Sequence, residues 1–258
     1  MMAPLLALEH VSRTFVRDGG SIVSAVRNVS LHVGPGETVA LVGESGSGKS
    51  TLGRIALGLL KPDSGRALIA GEDISRLAPA ELRRVRRKIQ PVFQDPTASL
   101  NPRRTVADLI AQALPDGRKR DTAVELLERV GLRPGAQFMG RLPHEVSGGQ
   151  RQRIAIARAL AAEPALIIAD EPLSGADVSV RGQVLNLLID LQRERGLAYL
   201  MITHDISIAR VFANRVAVMM RGEIVETGPA EAVLTAPQHD YTRRLVAAVP
   251  RLQGATGI

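Results

Sequence analysis

The sequence predicts an α/β fold in which a buried parallel sheet is preceded by a small antiparallel sheet and interrupted by an inserted helical lobe. Three observations carry that expectation. Continuous apolar runs at Val39-Ala40-Leu41-Val42, Leu166-Ile167-Ile168-Ala169 and Ala198-Tyr199-Leu200-Met201-Ile202 are of the kind covered on both faces of a parallel sheet. A helical pattern over residues 180–193 joins the second run to the third, for which a right-handed crossover is the expected connection. Between Asp95 and Arg158 the pattern turns helical (106–114, 121–130, 149–160), with proline and glycine breaks and no strand signal.

In chain order, residues 5–11 and 25–33 alternate apolar and polar positions, with Gly19-Gly20 and Gly34-Pro35-Gly36 as turns, and read as an antiparallel sheet leading into the first buried strand. Lys61-Pro62-Asp63-Ser64-Gly65 reads as a turn and residues 66–71 as another short strand. Residues 216–220 and 223–226 flank Arg221-Gly222, a hairpin at the sheet's edge, and residues 237–258 form a short appendage.

A chain of 258 residues, 45% of them hydrophobic, can bury a substantial core. No apolar run approaches the roughly 18 residues that span a bilayer. The opening Met-Met-Ala-Pro-Leu-Leu-Ala-Leu-Glu-His also lacks the basic flank and cleavage site of a secretory signal, so a cytoplasmic location is expected. With no cysteine, disulfides, zinc–thiolate sites and iron–sulfur ligation are excluded. The net charge of +7 is concentrated in Arg83-Arg84-Val85-Arg86-Arg87-Lys88, but aromatics are 2% of residues and none interleaves that run, leaving few candidates for base stacking. A solvated basic helix face, following Glu81 and Leu82, is the ordinary explanation; attraction to anionic lipid or an acidic partner is the alternative.

The strongest motif follows the first apolar run: Gly43-Glu44-Ser45-Gly46-Ser47-Gly48-Lys49-Ser50-Thr51. Without Cβ atoms at Gly46 and Gly48, the backbone can curl and aim successive N–H groups at one anion, and a helix starting near Lys49 adds its positive end. Lys49 supplies a cation for terminal phosphates, Ser50 a hydroxyl for Mg²⁺, and Thr51 a hydrogen bond to the first phosphate. The motif predicts a nucleoside triphosphate site.

Two further constellations fit such a site. At Ala169-Asp170-Glu171-Pro172, two carboxylates emerge where a doubly wound sheet presents its ligands: Asp170 suits the Mg²⁺ shell, and Glu171, pointing the other way by strand alternation, suits polarising a water. Ser147-Gly148-Gly149-Gln150 opens a helix and reads as a second anion-binding helix start, without a lysine or magnesium ligands of its own. A plain serine N-cap with a glycine turn is the competing reading.

Together these residues resemble the nucleotide-binding subunit of an ATP-binding cassette (ABC) transporter. Residues 43–51 match the family's Walker A loop, Gln94 its Q-loop glutamine, and Ser147-Gly148-Gly149-Gln150 its signature peptide. Residues 166–170 match its Walker B strand, Glu171 its catalytic carboxylate, and His204 its switch histidine. Phe15 falls where the family stacks an aromatic on adenine, with a core phenylalanine as the alternative. The resemblance implies a RecA-like P-loop NTPase core with an N-terminal antiparallel β-subdomain (1–94 and 159–236), an α-helical subdomain (95–158) and a tail (237–258). It also implies ATP and Mg²⁺ as cofactors, with Ser50, Gln94 and Asp170 at the metal. Two such subunits close head to tail, each ATP held between one chain's Walker A loop and the other's signature peptide. Two departures stand out: Val146 where the family usually has leucine, and Ser174-Gly175-Ala176-Asp177 in place of Ser-Ala-Leu-Asp in the D-loop carrying Asp177.

Residues 90–103 (Gln90-Pro91-Val92-Phe93-Gln94-Asp95-Pro96 onward) and the tail from Pro237 through His239-Asp240-Tyr241-Thr242 to Leu252 resemble the dipeptide, oligopeptide and nickel importer branch, with Asp240 replacing its usual proline. That branch implies a second ATPase subunit, identical or not, two permeases, indirectly an external solute-binding protein, and a peripheral place on the cytoplasmic face of the inner membrane. No nucleic acid is expected. The alternatives are a soluble cassette ATPase acting on DNA or ribosomes, supported only by the +7 charge, and a P-loop kinase, against which the signature peptide argues.

Overall fold

This computed structural model describes residues 3–16, 20–115, 120–173 and 178–248. In chain order its elements are β1 (Leu6–Val16), β2 (Ile22–Val33), β3 (Thr38–Val42), α1 (Lys49–Ala56), β4 (Ser64–Ile69), β5 (Glu72–Asp73), α2 (Pro79–Arg86) and β6 (Ile89–Phe93). Then come α3 (Val106–Ala111), α4 (Arg120–Arg129), α5 (Gly148–Ala161), β7 (Leu166–Asp170), α6 (Val178–Arg195) and β8 (Ala198–Thr203). The chain continues with α7 (Ile206–Phe212), β9 (Arg215–Met220), β10 (Glu223–Pro229), α8 (Ala230–Thr235) and α9 (Asp240–Ala247).

Two sheets result. One is antiparallel, in the order β2-β1-β4-β5; the other runs β10-β9-β3-β8-β7-β6, parallel except for β10. Alternation along β7 shows why its run is continuously apolar: Leu166 and Ile168 join a core with Leu52, Ile55 and Ile202, while Ile167 and Ala169 join another with Ile110, Leu127 and Ile154. The helices between β6 and β7 therefore share a core with one face of the large sheet. Each fully buried Leu or Ile there contributes about 1.5–3 kcal/mol.

The structure moves several expected boundaries. β1 runs on to Val16 and β2 starts at Ile22, because bulges near His10 (φ 52°) and Arg13 let the ribbon keep pairing past the alternating stretches. β4 starts at Ser64 rather than Arg66; Asp63 ties its entrance to β1, accepting from Thr14 N–H (2.7 Å) and Arg13 (2.6 Å). β6 was not expected. Pro91 interrupts its pattern, yet β6 is the last strand of its sheet, where the missing N–H is tolerated. The Arg221-Gly222 hairpin is as expected, with both residues in left-handed backbone (φ 48° and 90°) and β10 at the edge. The basic run lies on α2 and just beyond it, and Glu72 pairs with both Arg84 (2.7 Å) and Lys88 (3.4 Å).

Candidate functional site

β3 ends at Val42 and α1 begins at Lys49, so residues 43–48 form the loop at the sheet's carboxyl edge. Two glycines are sterically required. A Cβ on Gly43 (φ 152°) would lie 2.2 Å from the Met219 carbonyl oxygen, and one on Gly48 (φ 108°) 2.1 Å from that of Ala25. The loop is thereby wedged between β9 and β2. The hairpin tip adds a further hold, Gly222 N–H donating to the Ser47 carbonyl at 2.9 Å.

Lys49 is buried, and its Nζ donates to the carbonyls of Gly43 (2.7 Å) and Glu44 (2.8 Å). Burial lowers the lysine pKa, while the charges of Glu171, Asp170 and Glu44 oppose that shift. A phosphate oxygen, being charged, is a stronger acceptor than these carbonyls and could replace them. Across the loop, Ser50 Oγ donates to Asp170 Oδ1 at 3.2 Å. Burial raises the Asp170 pKa; the Ser50 hydrogen bond counters this and the adjacent Glu171 charge adds to it.

Glu171 does not sit as strand alternation suggested. β7 ends at Asp170, and Glu171 turns off it with φ 51°, a strained conformation for a non-glycine residue, its N–H held by the Ile202 carbonyl (2.8 Å). That turn carries the carboxylate to the end of β8. There Glu171 Oε1 accepts from the His204 N–H (3.1 Å) and pairs with His204 Nδ1 (2.7 Å). With Nδ1 as the donor, Nε2 is left to face other groups. Gln94 follows β6 directly and is exposed. Phe15 lies on β1 opposite Val23, 39% exposed, with the Arg13 guanidinium carbon 5.2 Å from its ring centroid, so it is not a core phenylalanine.

A cleft of about 1080 Å³ brings most of these residues together: Phe15, Gly43, Glu44, Ser45, Gly46, Gly48, Lys49, Ser50, Thr51, Gln94, Glu171 and His204 all line it. Ala25, Arg221 and Leu245 line it too, although nothing in their local sequence marks them as site residues. Asp170 reaches it through Ser50. Ser47 does not line it; its hydroxyl is buried without a hydrogen-bond partner.

The signature residues lie elsewhere. Ser147 caps α5, its Oγ accepting from Gln150 N–H (3.2 Å) while Gln150 Oε1 accepts from Ser147 N–H (2.9 Å). Ser147, Gly149 and Gln150 border a separate hollow of about 330 Å³ with Arg153 and Gln183. One turn into α5, buried Gln152 donates to the Pro172 carbonyl (2.9 Å), tying this helix to the segment after Glu171. Asp177 and the rest of residues 174–177 lie outside the described residues.

Comparison with known proteins identifies the family. A family model described as "ABC transporter" matches residues 26–174. The Glutathione import ATP-binding protein GsiA of Escherichia coli K12 is 53% identical over 234 residues, covering 88% of this chain and 37% of that protein. The Salmonella choleraesuis protein of the same name is 54% identical over 235 residues, with the same coverage of each. The chain thus spans little more than a third of these relatives. Among solved structures, the dimeric ATP-binding cassette MJ0796, bound to ADP and Pi in a post-hydrolysis state, is 35% identical with a TM-score of 0.78, covering 87% of this chain and 98% of that one. The cbiO1 subunit of a Clostridium perfringens ABC transporter complex is 29% identical with a TM-score of 0.78, covering 97% of each chain. The chain belongs to the ABC transporter family, as an ATP-binding cassette.

Proposed function

We propose that this chain is the ATP-hydrolysing subunit of an importer for dipeptides, oligopeptides or nickel, driving a permease through ATP-dependent closure of a cassette dimer. The carrying observation is the division of its motifs. One cleft is lined by most of the loop, Glu171 and His204, with Asp170 bonded to its Ser50, while Ser147, Gly149 and Gln150 border a separate hollow on the same chain. A second cassette, identical or different, supplies the missing wall. A peptide cargo is supported by the GsiA relatives, named for import of glutathione, a tripeptide.

In this reading the loop N–H groups and Lys49 hold the triphosphate, and Phe15 stacks on the base. Glu171 accepts the proton of an attacking water, and His204, fixed by Glu171, contacts the terminal phosphate. Ser147, Gly148, Gly149 and Gln150 meet the neighbour's ATP, and Asp177 communicates between subunits. Ser50, Asp170 and Gln94 suit Mg²⁺: they are hard oxygen donors, and the adjacency of Ser50 to Asp170 offers too few protein ligands for a closed cage, as expected for an ion sharing its shell with phosphate and water. When bound, that ion neutralises phosphate charge. The proposed organisation keeps a core of 1–94 and 159–236, a helical lobe of 95–158 that meets the permease, and a tail from 237, peripheral to the cytoplasmic face of the inner membrane.

The direct test is co-purification with ATPase measurement. The proposal expects a polytopic membrane protein to accompany the chain and to raise its phosphate release; association with nucleic acid instead would overturn it.

A further inference from the structure

The Gly43–Glu44 peptide group is held from both ends. Its carbonyl, on Gly43, accepts from Lys49 Nζ at 2.7 Å. Its N–H, on Glu44, donates to the Tyr241 hydroxyl at 2.9 Å, across 197 residues of sequence. Because a trans peptide points its C=O and N–H in opposite directions, the two bonds together fix the plane: oxygen toward the lysine, N–H toward the tail.

The tail is built to make this contact. The Glu226 carboxylate on β10 accepts from the N–H groups of Gln238 (2.8 Å) and His239 (3.0 Å), and the His239 ring caps α9 by accepting from Tyr241 N–H (3.1 Å). Tyr241 is buried in a core with Ala40, Val42 and Val218, residues of β3 and β9 that flank the loop. Leu245, one turn further along α9, borders the nucleotide cleft itself. Burial raises the phenol pKa, so the hydroxyl keeps its proton and accepts through its lone pairs.

We infer that Tyr241 is a positioning residue for nucleotide capture: by anchoring the Glu44 N–H from outside, its hydroxyl sets the peptide whose carbonyl holds Lys49 ready for the phosphates. This rests on the proposed phosphate-binding role of Lys49. The Tyr241 oxygen and Lys49 thus hold one peptide from opposite sides, and the C-terminal tail becomes part of the nucleotide site. Removing the oxygen frees the peptide to rotate, so that ATP must select the competent loop from a mixture.

The test is Tyr241→Phe in the full chain, which keeps the ring and deletes one oxygen, compared with wild type and Lys49→Ala. ATP affinity is read by titration with a fluorescent analogue, the fold by its thermal midpoint, and the loop by hydrogen exchange at the Glu44 amide. The inference expects about 2- to 10-fold weaker ATP binding, the range for one lost hydrogen bond. It also expects faster exchange at Glu44 and a midpoint close to wild type. Tyr241→Phe that binds ATP like wild type reduces Tyr241 to core packing and overturns the inference alone. Lys49→Ala that binds like wild type overturns the parent reading, and the inference with it. If Tyr241→Phe lowers the midpoint sharply, the Glu44 amide decides: exchange unchanged relative to neighbouring amides below the transition rejects the inference, and selective acceleration there supports it.

Discussion

With Glu171 as the proposed general base, Glu171→Gln should separate hydrolysis from binding. Glutamine has the volume of glutamate and can still offer one oxygen to the two His204 donors now bonded to Glu171 Oε1, at 3.1 and 2.7 Å. Only the charge and the basicity are lost. A positioned general base contributes about 10²- to 10⁴-fold, so the barrier should rise by about 2.7–5.5 kcal/mol. Binding should survive because the loop's own contacts, Lys49 to Gly43 and Glu44, do not involve Glu171. It should even tighten slightly, since Glu171 adds negative charge beside Asp170, where phosphates must arrive. Phosphate release at saturating ATP and gel filtration with and without ATP read the two effects. Turnover within about threefold of wild type would show that no general base acts through this carboxylate, and a variant that fails to bind ATP would show that the charge serves capture.

Three further outcomes follow from other contacts. Lys49→Ala removes a buried cation from the loop and should weaken ATP binding by at least about 10-fold, as a lost charge-assisted hydrogen bond does; titration showing normal affinity contradicts this. Gly48→Ala places a Cβ 2.1 Å from the Ala25 oxygen in left-handed backbone, and should cost more than about 2 kcal/mol in denaturant unfolding; a difference under about 0.5 kcal/mol would mean that β2 yields freely. Glu37 accepts from Arg215 Nε (2.8 Å) and Gly34 N–H (2.7 Å); burial alone would raise its pKa, but these bonds and the Arg215 charge bring it below 4.5. Its contribution is therefore present above pH 4.5 and lost as pH falls through the lowered folded value, so Glu37→Gln should destabilise by about 1–3 kcal/mol at neutral pH and by progressively less in acid. A gap that persists unchanged in acid contradicts the linkage.

Much of the site was legible because it is local. The spacing from Gly43 to Thr51 encodes a loop and helix start in one stretch, and Asp170 ends an apolar run whose burial follows from composition. What was not legible depends on distant partners or on broken patterns. Pro91 hid β6, since only the sheet order reveals that this strand lies at an edge. Alternation misjudged Glu171, because the strand stops one residue earlier and a left-handed turn, fixed by the Ile202 carbonyl, re-aims the carboxylate. The Tyr241–Glu44 bond has no periodic signature at all: the tail motif marks a branch of the family, but only the packed fold brings α9 against the loop. The branch motifs, by contrast, agree with the importer names of the relatives matched over 88% of the chain.

The proposed nucleotide site is completed by a neighbouring cassette. The measurement that addresses it most directly is an experimental structure of the Glu171→Gln chain with ATP and its partner subunit. Ser147 Oγ and the Gly149 N–H should lie within about 3 Å of the terminal phosphate held by the neighbour's loop. A closed, ATP-loaded pair in which those groups touch no triphosphate would contradict the proposal.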